Sequence, residues 1–167
     1  RLNMPPISIR DLIVKDNDLA VGTHGRGLWI LDDISALRQW GATTGTAAFT
    51  LFKPALATRV RYSMYTDTPV PQEDPRGDNP PDGAVIDYYL KNYARHVTLE
   101  ILDAAGRVLR KFASDDPTPT PVDAGNAPWY WFRPVMVPST KAGIQRFAWD
   151  LHYARPTTEC SLPISAT

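Results

Sequence analysis

The sequence predicts an all-β fold in which a three-stranded β-meander precedes a β-sandwich. The chain has 167 residues, of which 16 are proline. This is about twice the usual share, and proline favours short strands and ordered loops over long helices. Short apolar runs recur along the chain and are bounded by Gly, Asp, Asn and Pro, the residues that favour turns. One short segment, 33–40, has helical spacing.

The N-terminal segment 1–41 predicts the meander and a short helix. Its strands lie at 7–14, 19–24 and 28–31, with turns at 16–18 and 25–27. The run LWIL at 28–31 is apolar on both faces, which is typical of a buried or central strand. Asp33 stands where a helix N-cap is expected, and a linker of small residues follows at 42–48.

The segment 49–156 predicts a sandwich of short strands. These strands lie at 49–54, 58–65, 84–91, 96–103, 107–114, 129–137 and 144–153. Gly106 can adopt the positive φ that a tight hairpin turn needs, so the strands that flank it are expected to pair. Two proline-rich loops, 66–82 and 115–128, separate the strands, and the tail 157–167 has no structural pattern.

Charge and cysteine content exclude several classes of partner and site. Eighteen Lys and Arg residues balance eighteen Asp and Glu residues, whereas proteins that bind nucleic acid or anionic membranes usually carry a basic excess. The single cysteine, Cys160, excludes an internal disulfide framework and a Cys-rich zinc site. No apolar run reaches the roughly 18 residues of a membrane span. We therefore expect neither a nucleic-acid partner nor a membrane partner.

Several runs together resemble the end of one protein family. These runs are DLAVGTHGRGLWILDD, LFKPA, NPPDGAVIDYYL, LEILDAAGRVLR and GIQRFAWDLHY. They resemble the last propeller blade, and the region after it, of large bacterial glycosyl-hydrolase-like proteins with neuraminidase-type repeats, whose architecture is similar to the sortilin luminal propeller. The last two runs also resemble the immunoglobulin-like domain of flagellar hook-capping proteins and of secretion-tail modules. The resemblance implies a blade followed by an immunoglobulin-like sandwich, an accessory role, and a secreted or periplasmic location.

The chain is too short for the propeller that its first residues resemble. A closed propeller needs about four or more blades, and a lone meander leaves apolar faces and edges uncovered. The meander could pack on its own sandwich, be covered by a second copy, or belong to a longer chain. We favour the last two, so the expected partners are a homo-oligomer or the remainder of a longer chain.

The chain as a whole also resembles, more loosely, short metagenome-derived quorum-quenching lactonases that depend on calcium. This resemblance implies a hydrolase that opens the lactone ring of N-acyl-homoserine lactones. The sequence therefore leaves two functions open: a non-catalytic binding or assembly module, and a calcium-dependent lactonase. A small lactone or a carbohydrate is the expected small-molecule partner.

Four residues near the third strand are candidate catalytic groups: His24, Arg26, Asp32 and Asp33. A histidine near a carboxylate can act as a general base, and an arginine can stabilise an oxyanion. However, His24 and Asp32 flank the strand 28–31, which would separate them by roughly 10–15 Å at about 3.3 Å per residue. The alternative is structural: a Gly-Arg-Gly turn and an Asp33 helix cap.

The acid-rich loop before the strand 84–91 is the candidate metal site, with Asp78, Asp82 and Asp87 as ligands. Calcium takes six to eight oxygen ligands, which carboxylates and loop carbonyls can supply. The spacing does not match an EF-hand, and the alternative is a solvated loop. An aromatic strip at 129–132 could stack on sugars or cover an acyl chain, or it could belong to the core.

Overall fold

The computed structural model describes residues 4–59, 73, 77, 80–117 and 136–154. Its strands and single short helix, in chain order, are β1 Ile9–Lys15, β2 Asp18–Thr23, β3 Leu28–Leu31, α1 Ser35–Arg38, β4 Phe49–Leu51, β5 Ala84–Leu90, β6 Thr98–Leu102, β7 Val108–Ala113 and β8 Gly143–Trp149. All strand pairs in this part of the chain are antiparallel, and the all-β prediction is confirmed. The predicted strands 58–65 and 129–137 lie mostly outside the described residues.

The strands β1, β2 and β3 form the predicted meander, in that order. Lys15 pairs with Asp18, so the first turn holds two residues, and Asp16 adopts a φ of 52°. Such a left-handed conformation is the one that a tight hairpin requires, and Asp tolerates it better than most residues. Gly25 and Gly27 supply positive φ angles in the second turn. Local turn chemistry therefore accounts for the meander.

The prediction that the strand 28–31 is buried or central is wrong for the described part of the chain. Leu28 and Ile30 are 79% and 63% exposed, and Trp29 and Leu31 are half-buried. The reason is topological, because β3 is an outer strand of its sheet and no layer of the described chain covers the face that carries Leu28 and Ile30.

The described core lies between a second three-stranded sheet, in the order β4-β5-β8, and the β6–β7 hairpin. Its buried side chains come from β5 and β8, with Phe147 only 1% exposed. The rings of Phe147 and Phe112 lie 4.8 Å apart between centroids, which places the hairpin on this face of the sheet. Gly106 has a φ of 80° in the β6–β7 turn, so the predicted hairpin is confirmed. The immunoglobulin-like topology stays a prediction.

The segment after α1 packs on the opposite face of the second sheet. Trp40 meets Tyr89 edge-on, with ring centroids 5.1 Å apart, and stacks near Phe52 at 6.3 Å. The Gln39 side chain donates to the Lys53 carbonyl and accepts from the Lys53 N–H, each at 2.9 Å. The sheet thus lies between the hairpin and the α1 segment. Among the described residues, no helix is long and apolar enough to cross a membrane.

Candidate functional site

Arg146 on β8 forms an ion pair with Asp87, which lies opposite it on β5. Its Nε and Nη2 atoms donate to the two carboxylate oxygens of Asp87 at 2.8 and 2.9 Å. The side chain of Asp87 is 5% exposed and that of Arg146 is 30% exposed, so the carboxylate in particular is removed from water. The pKa of Arg146 lies above its usual value, chiefly because the Asp87 carboxylate accepts these hydrogen bonds, although partial burial acts in the opposite direction.

The same guanidinium also holds the end of the meander. Its Nη1 donates to the Asp32 carbonyl at 2.6 Å, and Nη2 donates to the Asp33 carbonyl at 2.7 Å. Asp32 and Asp33 follow β3 directly, whereas Arg146 lies on β8. Because a planar guanidinium presents several donors in a fixed fork, it can bind a carboxylate and two carbonyls together. Arg146 is therefore a clamp between the two sheets.

This clamp bears on the predicted metal site. Both oxygens of Asp87 accept hydrogen bonds from Arg146. Because a guanidinium cation at those oxygens repels a second cation, Asp87 does not fit the role of a calcium ligand. Asp82 is exposed just before β5, and Asp78 lies outside the described residues. In the described part of the chain, no three His, Cys, Asp or Glu side chains are placed to hold a metal ion. A calcium site that includes Asp78 stays a prediction.

The predicted catalytic residues lie at the two ends of β3. His24 and Arg26 are exposed in the turn before the strand, and no described hydrogen bond or ion pair joins their side chains to Asp32 or Asp33. The His24 amide donates to the Ser8 carbonyl at 3.0 Å. This bond is a backbone contact between the residue that follows β2 and the residue before β1, so it is structural.

Asp33 has a local structural role. Its φ is 51°, and its carboxylate accepts the Ser35 amide at 3.0 Å, while its own amide donates to Asp18 Oδ1 at 3.0 Å. The N-cap residue itself is Ile34, whose side chain makes no capping bond. The prediction that Asp33 is the N-cap is therefore wrong by one residue, although its carboxylate still supports the start of α1.

An open groove of about 510 Å³ lies beside the core, between β4 and the start of β6. Tyr88 and Leu90 line its buried part, and Phe49 and Tyr93 are exposed at its rim. Phe49 pairs with Leu90 across the sheet, so both side chains lie on the core face.

His96 at the edge of this groove forms an ion pair with Asp115, at 2.9 Å between Nε2 and Oδ1. Its hydrogen bond to His96 lowers the pKa of Asp115. The Thr98 hydroxyl lies 3.5 Å from the other ring nitrogen. Both members of the ion pair are exposed, and exposed pairs are screened by water and contribute little. We therefore assign this pair no role beyond that of an ordinary ion pair on the surface.

The meander exposes apolar side chains on both faces. Cross-strand pairing places Ile13, Ala20 and Ile30 on one face and Leu12, Val21 and Trp29 on the other. Ile13 is 62% exposed and Leu12 is 55% exposed. All seven residues of β1 are exposed. The predicted aromatic strip 129–132 lies outside the described residues.

Sequence reasoning missed two ion pairs, because their members lie far apart in the chain. The Asp87–Arg146 pair spans 59 positions and the His96–Asp115 pair spans 19. Opposite charges in two predicted strands are common, and only the register of β5 and β8 makes Asp87 and Arg146 neighbours.

Comparison of the chain with known protein families, with curated proteins and with solved structures finds no match. The resemblances to propeller proteins and to lactonases therefore stay predictions.

Proposed function

We propose that the protein is a non-catalytic binding and assembly module that uses its meander as the contact surface. The observation that carries this proposal is the exposure of the meander and, above all, of β1, which lies at one edge of it among the described strands. On one face of the meander Ile13, Leu28 and Ile30 are at least 62% exposed, and on the other face Leu12 and Val14 are at least 47% exposed. Monomeric proteins rarely expose large contiguous apolar patches, and such patches usually mark interaction sites.

The arrangement of charge supports the same role. Asp11 and Lys15 flank the apolar residues of β1, so an apolar centre has a polar rim, as in many protein interfaces. Arg146 anchors the end of the meander to the second sheet, which keeps the contact surface in place. A pre-organised surface binds with a smaller entropic cost than a mobile one. The resemblance to the end blade of glycosyl-hydrolase-like propeller proteins is consistent with this role.

Sedimentation velocity over a range of protein concentrations tests the proposal. We expect the wild-type protein to associate reversibly and the triple variant L12T/I13T/V14T to associate at least tenfold more weakly. Threonine keeps the β-branched shape that strands favour, so the meander should still form, which circular dichroism can check. The matched control is L56T, because Leu56 is 99% exposed but lies outside the meander.

Three results would contradict the proposal. The first is a wild-type protein that remains monomeric at every concentration, and the second is a triple variant that associates as strongly as wild type. The third is turnover of an N-acyl-homoserine lactone that a chelator abolishes and calcium restores. That result would favour the lactonase.

A further inference from the structure

We infer that the partner of this contact surface is a second copy of the chain, which pairs antiparallel with the free edge of β1 across a twofold axis at Ile13. The two meanders then form one continuous sheet. This inference rests on the proposed assembly function and specifies its geometry.

The edge of β1 has backbone groups available for such pairing. Among the described strands, β1 lies at one edge of its sheet. The two-residue turn makes Lys15 and Asp18 a hydrogen-bonded pair, so alternate residues, Leu12 and Val14, direct their amides and carbonyls away from β2. Consistently, the Leu12 amide donates to the neighbouring Asp11 side chain at 2.8 Å. Unpaired edges of this kind are templates for another strand.

Backbone geometry restricts the register of the pairing. In an antiparallel pair, residues whose amides and carbonyls point away from β2 must lie opposite residues of the same kind in the second copy. The twofold axis can therefore pass through Leu12, Ile13 or Val14. The bulge of β1 lies between Ile9 and Asp11, which leaves 11–15 in regular pairing. An odd shift between the strands would pair outward-directed groups with inward-directed ones.

Charge selects one of these three registers. With the axis at Ile13, Asp11 of each copy lies opposite Lys15 of the other, and Leu12 lies opposite Val14. With the axis at Leu12, Asp11 would lie opposite Ile13. With the axis at Val14, Lys15 would lie opposite Ile13. Opposite charges directly across a strand pair stabilise it, so the Ile13 axis is preferred.

Dimerisation replaces two existing contacts of β1, and the loss of these contacts costs little free energy. The Leu12 amide leaves the Asp11 side chain for the Val14 carbonyl of the second copy, which frees Asp11 to face Lys15. Lys15 now contacts Asp16 at 2.9 Å, but both side chains are 81% exposed, and exposed pairs contribute little. Since both β1 edges are used, the contact is closed and stops at two copies.

Charge reversal tests the register. We expect D11K and K15D each to weaken dimerisation at least tenfold in sedimentation velocity, because each places two like-charge pairs across the dimer. The double variant D11K/K15D restores opposite charges and should dimerise as wild type does. An equimolar mixture of the two single variants should form a heterodimer for the same reason. These rescues distinguish a specific register from a general effect of charge.

Cross-linking tests the twofold axis. In a C160S background, which removes the native thiol, I13C should form a disulfide dimer on oxidation, because the residue on the axis lies close to its own copy. L28C is the matched control, since Leu28 is more exposed but lies on β3, and it should remain uncross-linked.

The outcomes separate this inference from the proposed function. If L12T/I13T/V14T abolishes association but D11K dimerises as wild type does, the meander assembles by another geometry and this inference fails alone. Cross-linking of L28C without I13C, or no rescue in the double variant, would also overturn the edge register. A wild-type protein that never associates would overturn both.

Discussion

Replacing Arg146 by methionine removes a guanidinium that four hydrogen bonds hold between the two sheets. Methionine retains much of the unbranched length of the side chain but none of its donors. The Asp87 carboxylate, 5% exposed, then loses its cation, and the carbonyls of Asp32 and Asp33 lose their donors. We expect R146M to destabilise the protein more than a typical surface substitution.

The magnitude follows from the burial of the Asp87 carboxylate, which R146M would leave without its cation. Removal of one member of a buried ion pair costs about 3–5 kcal/mol, because an uncompensated charge remains. R146K keeps the charge but loses the planar fork, so we expect it to cost about 1–3 kcal/mol. The double variant D87L/R146M removes both charges and should cost less than R146M alone.

Urea denaturation, followed by circular dichroism, measures these free energies of unfolding. Limited proteolysis in the linker 42–48 should also be faster in R146K than in wild type, because Arg146 anchors Asp32 and Asp33, which precede this linker. The stability argument would be refuted if R146M cost less than about 1 kcal/mol, or if the free energies of D87L and R146M simply added in the double variant.

Two further predictions concern the second sheet. Gly83 has a φ of 97°, and a Cβ there would lie 1.9 Å from the Trp149 carbonyl oxygen. At Gly106 φ is also positive, but a Cβ would meet nothing within 4 Å, so G106A should cost only about 1 kcal/mol. G83A should destabilise the protein by several times that amount. Equal midpoints of the two variants in urea would contradict this. Burial raises the pKa of Tyr88, whose hydroxyl donates a hydrogen bond to the Ser139 carbonyl. Because the folded pKa exceeds the unfolded value of about 10, the stability from this group is complete below that pH and is lost as pH rises through the folded pKa. Y88F should remove this alkaline loss and cost about 1 kcal/mol at neutral pH, and an unchanged alkaline slope in its denaturation curves would refute the assignment.

The sequence by itself determined the elements whose causes are local. Turn residues predicted the meander, because Asp16, Gly25 and Gly27 adopt the left-handed conformations that tight turns need. Gly106 likewise predicted the β6–β7 hairpin, because it adopts a positive φ in the turn. Proline content and short apolar runs sufficed for the all-β class, since both act on the backbone within a few residues.

Only the tertiary structure decided which of these elements cover one another. The apolar run at β3 predicted burial, but coverage depends on a neighbouring layer, and Leu28 and Ile30 have none in the described chain. Asp87 was a candidate metal ligand until the register of β5 and β8 placed it against Arg146. Such pairings join positions far apart in the chain, so local propensity carries no information about them. The physical reason is that burial and ion pairing depend on the packing of whole sheets.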